Sequence, residues 1–343
     1  MNKRVFLVIP IATLLFSACG LAQPSTPTPD PALVMTQAFA TVNASFTQTA
    51  LAAPTATPTA TPYPTVLAAP PTTGMDLKDV TYCTNDIPLK MDIYFPDAGS
   101  GPWPALLYFH GGIWMLGDKD KAIGLKDIPA LRAAGYVVAN VEYRQAPEYP
   151  FPAMIIDAKC AVRFLRAHAL ELNIDSNHIG AWGSSSGGHL VSLLGLASES
   201  AGWDTGEYIN ESSKLQAVTD MFGPTDLTDP AYTTRMEKIG YFVLFGVKDP
   251  SIDLLKSASP ITYVSSSAPP FLIIQGEKDK VVDLQQSQKL YQSLQSAGVA
   301  TAFVAVSNAG HNFEATGGAI SPTREEITQY MVAFFDALLK PAP

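Results

Sequence analysis

Charge is scarce in this sequence. Of its 343 residues only 15% are Asp, Glu, Lys or Arg, and 22 basic residues face 31 acidic ones for a formal net charge of −9. No basic cluster interrupts that balance, so the electrostatic footprint of a nucleic-acid partner is missing. Cysteine is scarcer still, at positions 19, 83 and 160, and the five histidines are scattered. No His/Cys group has ligand spacing and no glycine-rich phosphate loop occurs, so neither a metal nor an organic cofactor is implied. Long hydrophobic runs are absent too. The uncharged stretch from Val5 to Phe16 is too short to cross a bilayer comfortably as a mature helix.

That stretch reads instead as the core of a targeting segment. Lys3 and Arg4 precede it, and "FSAC" closes it with small residues directly ahead of Cys19. The arrangement resembles a bacterial lipoprotein signal over residues 1–19, with Phe16 where leucine is commoner. It implies export and a lipid anchor at Cys19, and so a membrane partner on the cell envelope. Residues 20–75 form a Thr/Pro/Ala-rich linker. No charge falls between Asp30 and Asp76, and "PSTPTPDP" and "PTATPTATPYPTV" cannot bury a core. Between these tracts Met35, Phe39, Val42 and Phe46 are spaced as a short helical seam, though a plain tether is the simpler reading. From Asp76 to Pro343 apolar runs and turn residues alternate as in one large α/β domain. Its two cysteines, Cys83 and Cys160, could bridge in an exported protein. Spacing alone does not pair them, and two buried free thiols are the expectation.

Within the domain, candidate strands are "VTYC", "LKMDIYF", "ALLYF", "YVVANVEY", "HIGAWG", "AVTDMFG", "FLIIQG" and "TAFVAV". The first two alternate apolar and polar residues, as antiparallel edge strands do; several later ones are continuously apolar, as strands buried on both faces are. Helical patterns at Ile155–Leu170, Gly187–Ala197, Leu284–Ala297 and Arg324–Leu339 lie among them. The alternation predicts a mostly parallel sheet with helices on both faces, and functional residues at the C-terminal ends of its strands.

"AWGSSSGGHL" joins a strand to a helix, so its serines sit in a tight turn. G-x-S-x-G fits in one register, Gly183 to Gly187, centred on Ser185. Such a turn strains its central residue and exposes its Oγ at the sheet edge, beside a helix N-terminus. Ser184 and Ser186 should point elsewhere. His189 lies four residues on, inside the helix, and is expected to pack or cap rather than to serve the serine. "LLYFHGGIWMLGD" supplies adjacent glycines after a buried strand, a source of backbone N–H groups for an oxyanion. His110 there is expected to anchor the loop. Two later strands lead into Asp279 and His311, which would orient the imidazole and act as the base. Asp283 and Asp226 compete for the acid's place. His168 and His178 fall at the other edge of the sheet and read as structural.

With these residues assembled, the chain resembles the α/β-hydrolase superfamily, and more narrowly bacterial carboxylesterases of the hormone-sensitive-lipase and feruloyl-esterase-like (BD-FAE-like) groups. "HGGIW", "VEYRQAPEYPFPAMIIDAKCAVRFLRAHA", "GSSSGGHL", "GPTDL", "GEKDKVV" and "AGHNF" follow that pattern in order. The resemblance implies an α/β-hydrolase fold of about eight strands and a serine esterase working through an acyl-enzyme. Its triad would be Ser185, Asp279 and His311, with oxyanion donors in the turn Gly111, Gly112, Ile113 and at the N–H of Ser186. It implies substrates that are small or polysaccharide-linked esters, acetyl or aromatic acyl groups among them. Arylformamidase or peptidase activity, or a binding protein without activity, are the rival readings. Three departures stand out. Ser186 replaces the usual alanine and should bring an extra hydroxyl into the site; Ile113 replaces a third glycine; Asp283 replaces a proline after the acid. The segment from Asp226 to Val264 is expected to form helices flanking the pocket.

Overall fold

The computed structural model describes residues 70–236 and 241–340, together with Tyr63 and Leu67. The lipobox-like Cys19, most of the Thr/Pro-rich linker and the seam from Met35 to Phe46 lie outside the described residues. No helix among those described is long and apolar enough to cross a membrane.

Eight strands form a single sheet in the order β1-β2-β4-β3-β5-β6-β7-β8. They are β1 (Asp76–Asn85), β2 (Ile87–Tyr94), β3 (Trp103–Phe109), β4 (Val137–Val141), β5 (Ile174–Ser184), β6 (Ala217–Met221), β7 (Phe271–Gly276) and β8 (Thr301–Val306). β1 and β2 make an antiparallel hairpin at one edge, and β2 pairs antiparallel with β4. Every pairing from β4 through β3 to β8 is parallel. Of the early pair, only β1 is a true edge strand.

The helices follow the expected alternation: α1 (Ile128–Ala133), α2 (Ala153–Ala167), α3 (Ser186–Leu196), α4 (Pro230–Met236), α5 (Tyr241–Phe245), α6 (Ile252–Ser257), α7 (Leu284–Ser296) and α8 (Arg324–Leu339). α8 starts where it does because Thr323 and Glu326 form a reciprocal capping box. Pleating divides the sheet's side chains into two cores. Along β3, Ala105, Leu107 and Phe109 face the side covered by α2, α3 and α7. Leu106 and Tyr108 face the other side, where α1 and α8 bring Leu131, Met331, Phe334 and Phe335. Both faces are therefore apolar, and each fully buried Leu or Phe contributes about 1.5–3 kcal/mol.

The expectation for the cysteines is corrected here. Cys83 on β1 and Cys160 on α2 are joined in a disulfide, with Cα atoms 6.5 Å apart. α2 packs along β1, so the strand and helix bring together residues separated by 77 positions in sequence. Closing a loop of that length restricts the unfolded chain and stabilises the fold by about 2–4 kcal/mol.

Candidate active site

β5 ends at Ser184, and the chain turns directly into α3 at Ser186. Ser185 sits between them at φ 55°, ψ −119°, a backbone conformation that L-residues rarely adopt. Its amide donates to Met221 O (2.9 Å) and its carbonyl accepts from His189 N (3.0 Å), so the neighbouring strand β6 and helix α3 hold the turn. Glycine is required at Gly187, where a Cβ would run into the Phe109 carbonyl, and at Gly111, where a Cβ would lie 2.8 Å from Ser184 O. The elbow and the loop after β3 thus meet backbone to backbone.

β5, β6, β7 and β8 are parallel neighbours, so their C-terminal ends share one edge of the sheet. Ser185 leaves the end of β5, Asp279 the end of β7 and His311 the end of β8. There His311 Nε2 lies 3.0 Å from Ser185 Oγ and His311 Nδ1 lies 2.8 Å from Asp279 Oδ2. The Asp279 carboxylate also accepts from Gln275 Nε2 (2.9 Å), Val281 N (2.8 Å) and Val282 N (3.0 Å). A carboxylate so surrounded by donors can only accept at Nδ1, which puts the proton there and leaves Nε2 free to take one from Ser185. The ring edge of His311 packs on Phe222, with centroids 4.8 Å apart.

Asp279 is the carboxylate that meets His311 Nδ1. Of its competitors, Asp226 pairs with Lys289 Nζ (3.1 Å), and Asp283 occupies the N-cap position of α7. A further buried acid, Asp220 at the end of β6, is pushed up to about 6 by burial; it accepts from Gly223 N and Ser192 Oγ beneath the elbow, not from a histidine. The other histidines take structural places. His178 bonds Asp175 near the start of β5, and His168 bonds Glu171 after α2. His189 accepts from Trp114 Nε1 (3.0 Å) and donates from Nε2 to Ala258 O (2.7 Å), and burial pushes it down to about 4. It ties the glycine loop to α3 and to the chain after α6. His110 donates from Nδ1 to Gly111 O and stacks on Tyr143, whose hydroxyl donates to the His110 carbonyl.

Gly111, Gly112 and Ile113 line one cleft with Ser185 and His311, about 640 Å³ in volume. Ile113 adopts φ 57°, the left-handed region that glycine occupies freely and a β-branched residue does not. The departure from a third glycine therefore keeps that backbone shape at a cost of about 1–3 kcal/mol. One expectation fails. The Ser186 hydroxyl does not enter the cleft: its side chain is buried, on the Tyr143 side of the elbow. Only its backbone N–H, one of the orphan donors at the start of α3, remains available to a ligand. The segment 226–264 forms helices α4, α5 and α6, as expected, and residues 117–126 make the wall of the cleft beside Ser185. The sheet order explains this, since β3 lies directly beside β5 and the chain leaving it emerges next to Ser185.

Sequence reasoning missed the supports of this site. Gln275 is held by Ser287 Oγ (2.9 Å) and in turn holds Asp279. Tyr108 OH bonds Ser184 Oγ (3.0 Å) and accepts from Gly124 N (3.0 Å), linking the elbow to the cleft wall. The Ser287–Gln275 and Tyr108–Ser184 contacts have no local signal in the sequence, because each joins residues from different elements.

Comparison with known proteins agrees with this architecture. The sequence matches the BD-FAE family over residues 91–294. Esterase LipC of Mycobacterium tuberculosis is 30% identical over 241 residues, covering 68% of this chain and 59% of its own. Esterase LipQ of the same organism is 31% identical over 244 residues, covering 67% and 57% respectively. The chain thus spans less than two thirds of these relatives' length. A truncated form of a carbohydrate esterase from gut microbiota superposes with a TM-score of 0.66 at 29% identity, over 78% of this chain and 97% of that one. The propionate-bound esterase Est2 of Thermogutta terrifontis, 22% identical over 77% of this chain and 95% of its own, shares the fold with a TM-score of 0.63. An eight-stranded, mostly parallel sheet that carries a strained serine turn at its C-terminal edge is the α/β-hydrolase fold, and the chain belongs to the BD-FAE family.

Proposed function

We propose that this protein is a serine carboxylesterase with Ser185 as nucleophile, His311 as base and Asp279 as its orienting acid. The observation that carries the reading is the continuous chain from Ser185 Oγ through His311 to Asp279, at 3.0 and 2.8 Å, on a turn that exposes the serine. In this reading His311 Nε2 takes the hydroxyl proton as Oγ attacks the ester carbonyl. The tetrahedral oxyanion is met by N–H groups of the Gly111–Ile113 turn and of Ser186 at the start of α3. Collapse expels the alcohol, which leaves with the proton from His311 Nε2. Water, activated by the same imidazole, then attacks the acyl-enzyme and returns Ser185.

The names of relatives lend support to ester chemistry: a carbohydrate esterase among the structures, and esterases among the sequences. We take the natural substrates to be modest esters, acetyl or aromatic acyl groups on carbohydrate included. A fluorophosphonate probe should label wild-type protein at Ser185. The labelled preparation should be matched by hydrolysis of 4-nitrophenyl acetate in excess of N-formylkynurenine and of a peptide anilide. Folded protein that neither labels nor hydrolyses the ester would leave a binding role; preference for an amide would sink the esterase reading.

The location is part of the same proposal. Residues 1–19 direct export and Cys19 carries lipid, with residues 20–75 as the tether. Cys19→Ala should move the protein out of the membrane fraction of its host; unchanged fractionation would refute the anchor.

A further inference from the structure

One wall of the cleft has no part in the chemistry proposed above, yet it is the most highly charged. Lys121 and Lys126, both from the connection between β3 and α1, line the cavity that holds Ser185 and His311. The two lysines differ in their surroundings. Lys121 Nζ lies 3.7 Å from Asp118 Oδ2, which also lines the cleft and partly offsets its charge. Lys126 has no such partner among the described residues. The carboxylate next to it in sequence, Asp127, is turned inward and spent on Arg324 Nη2 (2.7 Å) and Thr328 Oγ1 (2.7 Å). The cleft therefore carries an excess of positive charge on a chain whose formal net charge is −9.

The wall is also held in register with the nucleophile. Gly124, two residues before Lys126, donates its N–H to Tyr108 OH, and that hydroxyl bonds the side chain of Ser184, the residue before Ser185. A Cβ at Gly124 would collide with the Tyr108 ring, so the backbone is pressed directly against it. Both lysines are exposed where they line the cleft, so they act on a bound substrate as solvent-facing cations whose attraction salt screens.

We propose that this cleft selects esters that carry a carboxylate, with Lys126 as the residue that binds it and Lys121 as a weaker second. An acylated acidic sugar and a dicarboxylic half-ester both fit that description. The proposal rests on the esterase reading and names a substrate class for the same site.

Two matched pairs of esters test it, with the charge on opposite sides of the scissile bond. One pair is 4-nitrophenyl hydrogen succinate and its methyl ester; the other is 4-acetoxybenzoate and its methyl ester. For at least one pair, the ratio of kcat/KM for the charged over the neutral member should fall about tenfold in Lys126→Glu, chiefly through KM, since an attractive pair of modest strength becomes a repulsive one. In wild type the same ratio should shrink severalfold in about 0.5 M NaCl, where screening reaches only a few ångströms. Whichever pair responds says whether the carboxylate belongs to the acyl or the alcohol part. Ratios for both pairs that are unmoved by the substitution and by salt would overturn the proposal while leaving the esterase reading intact. Hydrolysis of none of these esters by either protein would overturn the esterase reading and the proposal with it.

Discussion

Ser185→Ala is expected to lower kcat by about four orders of magnitude or more, with little change in thermal stability. The loss is that large because in the proposed reaction Oγ forms the covalent intermediate, and it is the hydroxyl that the imidazole meets, 3.0 Å away. Stability should hold because the turn is kept by backbone bonds, Ser185 N to Met221 O and His189 N to Ser185 O, which alanine retains. Alanine is no worse than serine at φ 55°, so the strain is unchanged. The neighbouring serines supply the contrast. Ser184 Oγ is committed to Tyr108 OH, and the Ser186 hydroxyl is buried, while the backbone N–H proposed for Ser186 is one that alanine also possesses. Ser184→Ala and Ser186→Ala should each keep kcat within about tenfold of wild type, the first losing on the order of 1 kcal/mol with its buried hydrogen bond. Kinetics on 4-nitrophenyl acetate with melting curves for the three variants decide the matter. A Ser184 or Ser186 variant as inactive as Ser185→Ala, in folded protein, would mean that the register of the turn has been misassigned.

Asp279→Asn should cost about three to four orders of magnitude in kcat, again in folded protein. An asparagine fills the same space but presents an N–H donor as well as a carbonyl to His311. The imidazole can then settle with its proton on Nε2, the nitrogen that must accept from Ser185, and the neutral amide no longer stabilises the imidazolium. Gln275 and the N–H groups of Val281 and Val282 are arranged for an acceptor on both carboxylate oxygens, which makes the replacement awkward on that side as well. Asp283→Asn and Asp226→Asn should leave kcat within a fewfold, since the first sits at the N-cap of α7 and the second faces Lys289. Burst titration with a fluorophosphonate would count competent sites and separate a slower enzyme from a smaller fraction of folded one. Full activity in Asp279→Asn would remove it from the triad.

Much of this site could be read from local pattern because its chemistry sits at element ends. Asp279 and His311 each follow an apolar strand by a few residues, and Ser185 lies between a strand pattern and a helix pattern, so parallel pairing alone delivers all three to one edge. His189 could be set aside for the same kind of reason: its offset on α3 puts it on the far side of the elbow, where Trp114 and Ala258 hold it. What sequence reasoning missed has a different cause. The Cys83–Cys160 bridge, the buried Ser186 hydroxyl and the cleft wall from 117–126 each depend on which elements become neighbours. The cleft wall is the clearest case. Residues 117–126 stand beside Ser185 because β3, which they follow, lies next to β5 in the sheet.

By itself, then, the sequence determined the alternating framework, the strained serine turn and the three residue types that a hydrolytic triad needs. These depend on period, on glycine at fixed offsets and on strand ends, all of which are short-range properties of a chain. The tertiary structure alone decided that Cys83 reaches Cys160, that the Ser186 hydroxyl is buried, and that Lys126 stands in the cleft while Asp127 does not. Those choices turn on distances of a few ångströms between residues dozens of positions apart. Such distances follow from how the two faces of the sheet are packed, which no local window of sequence contains.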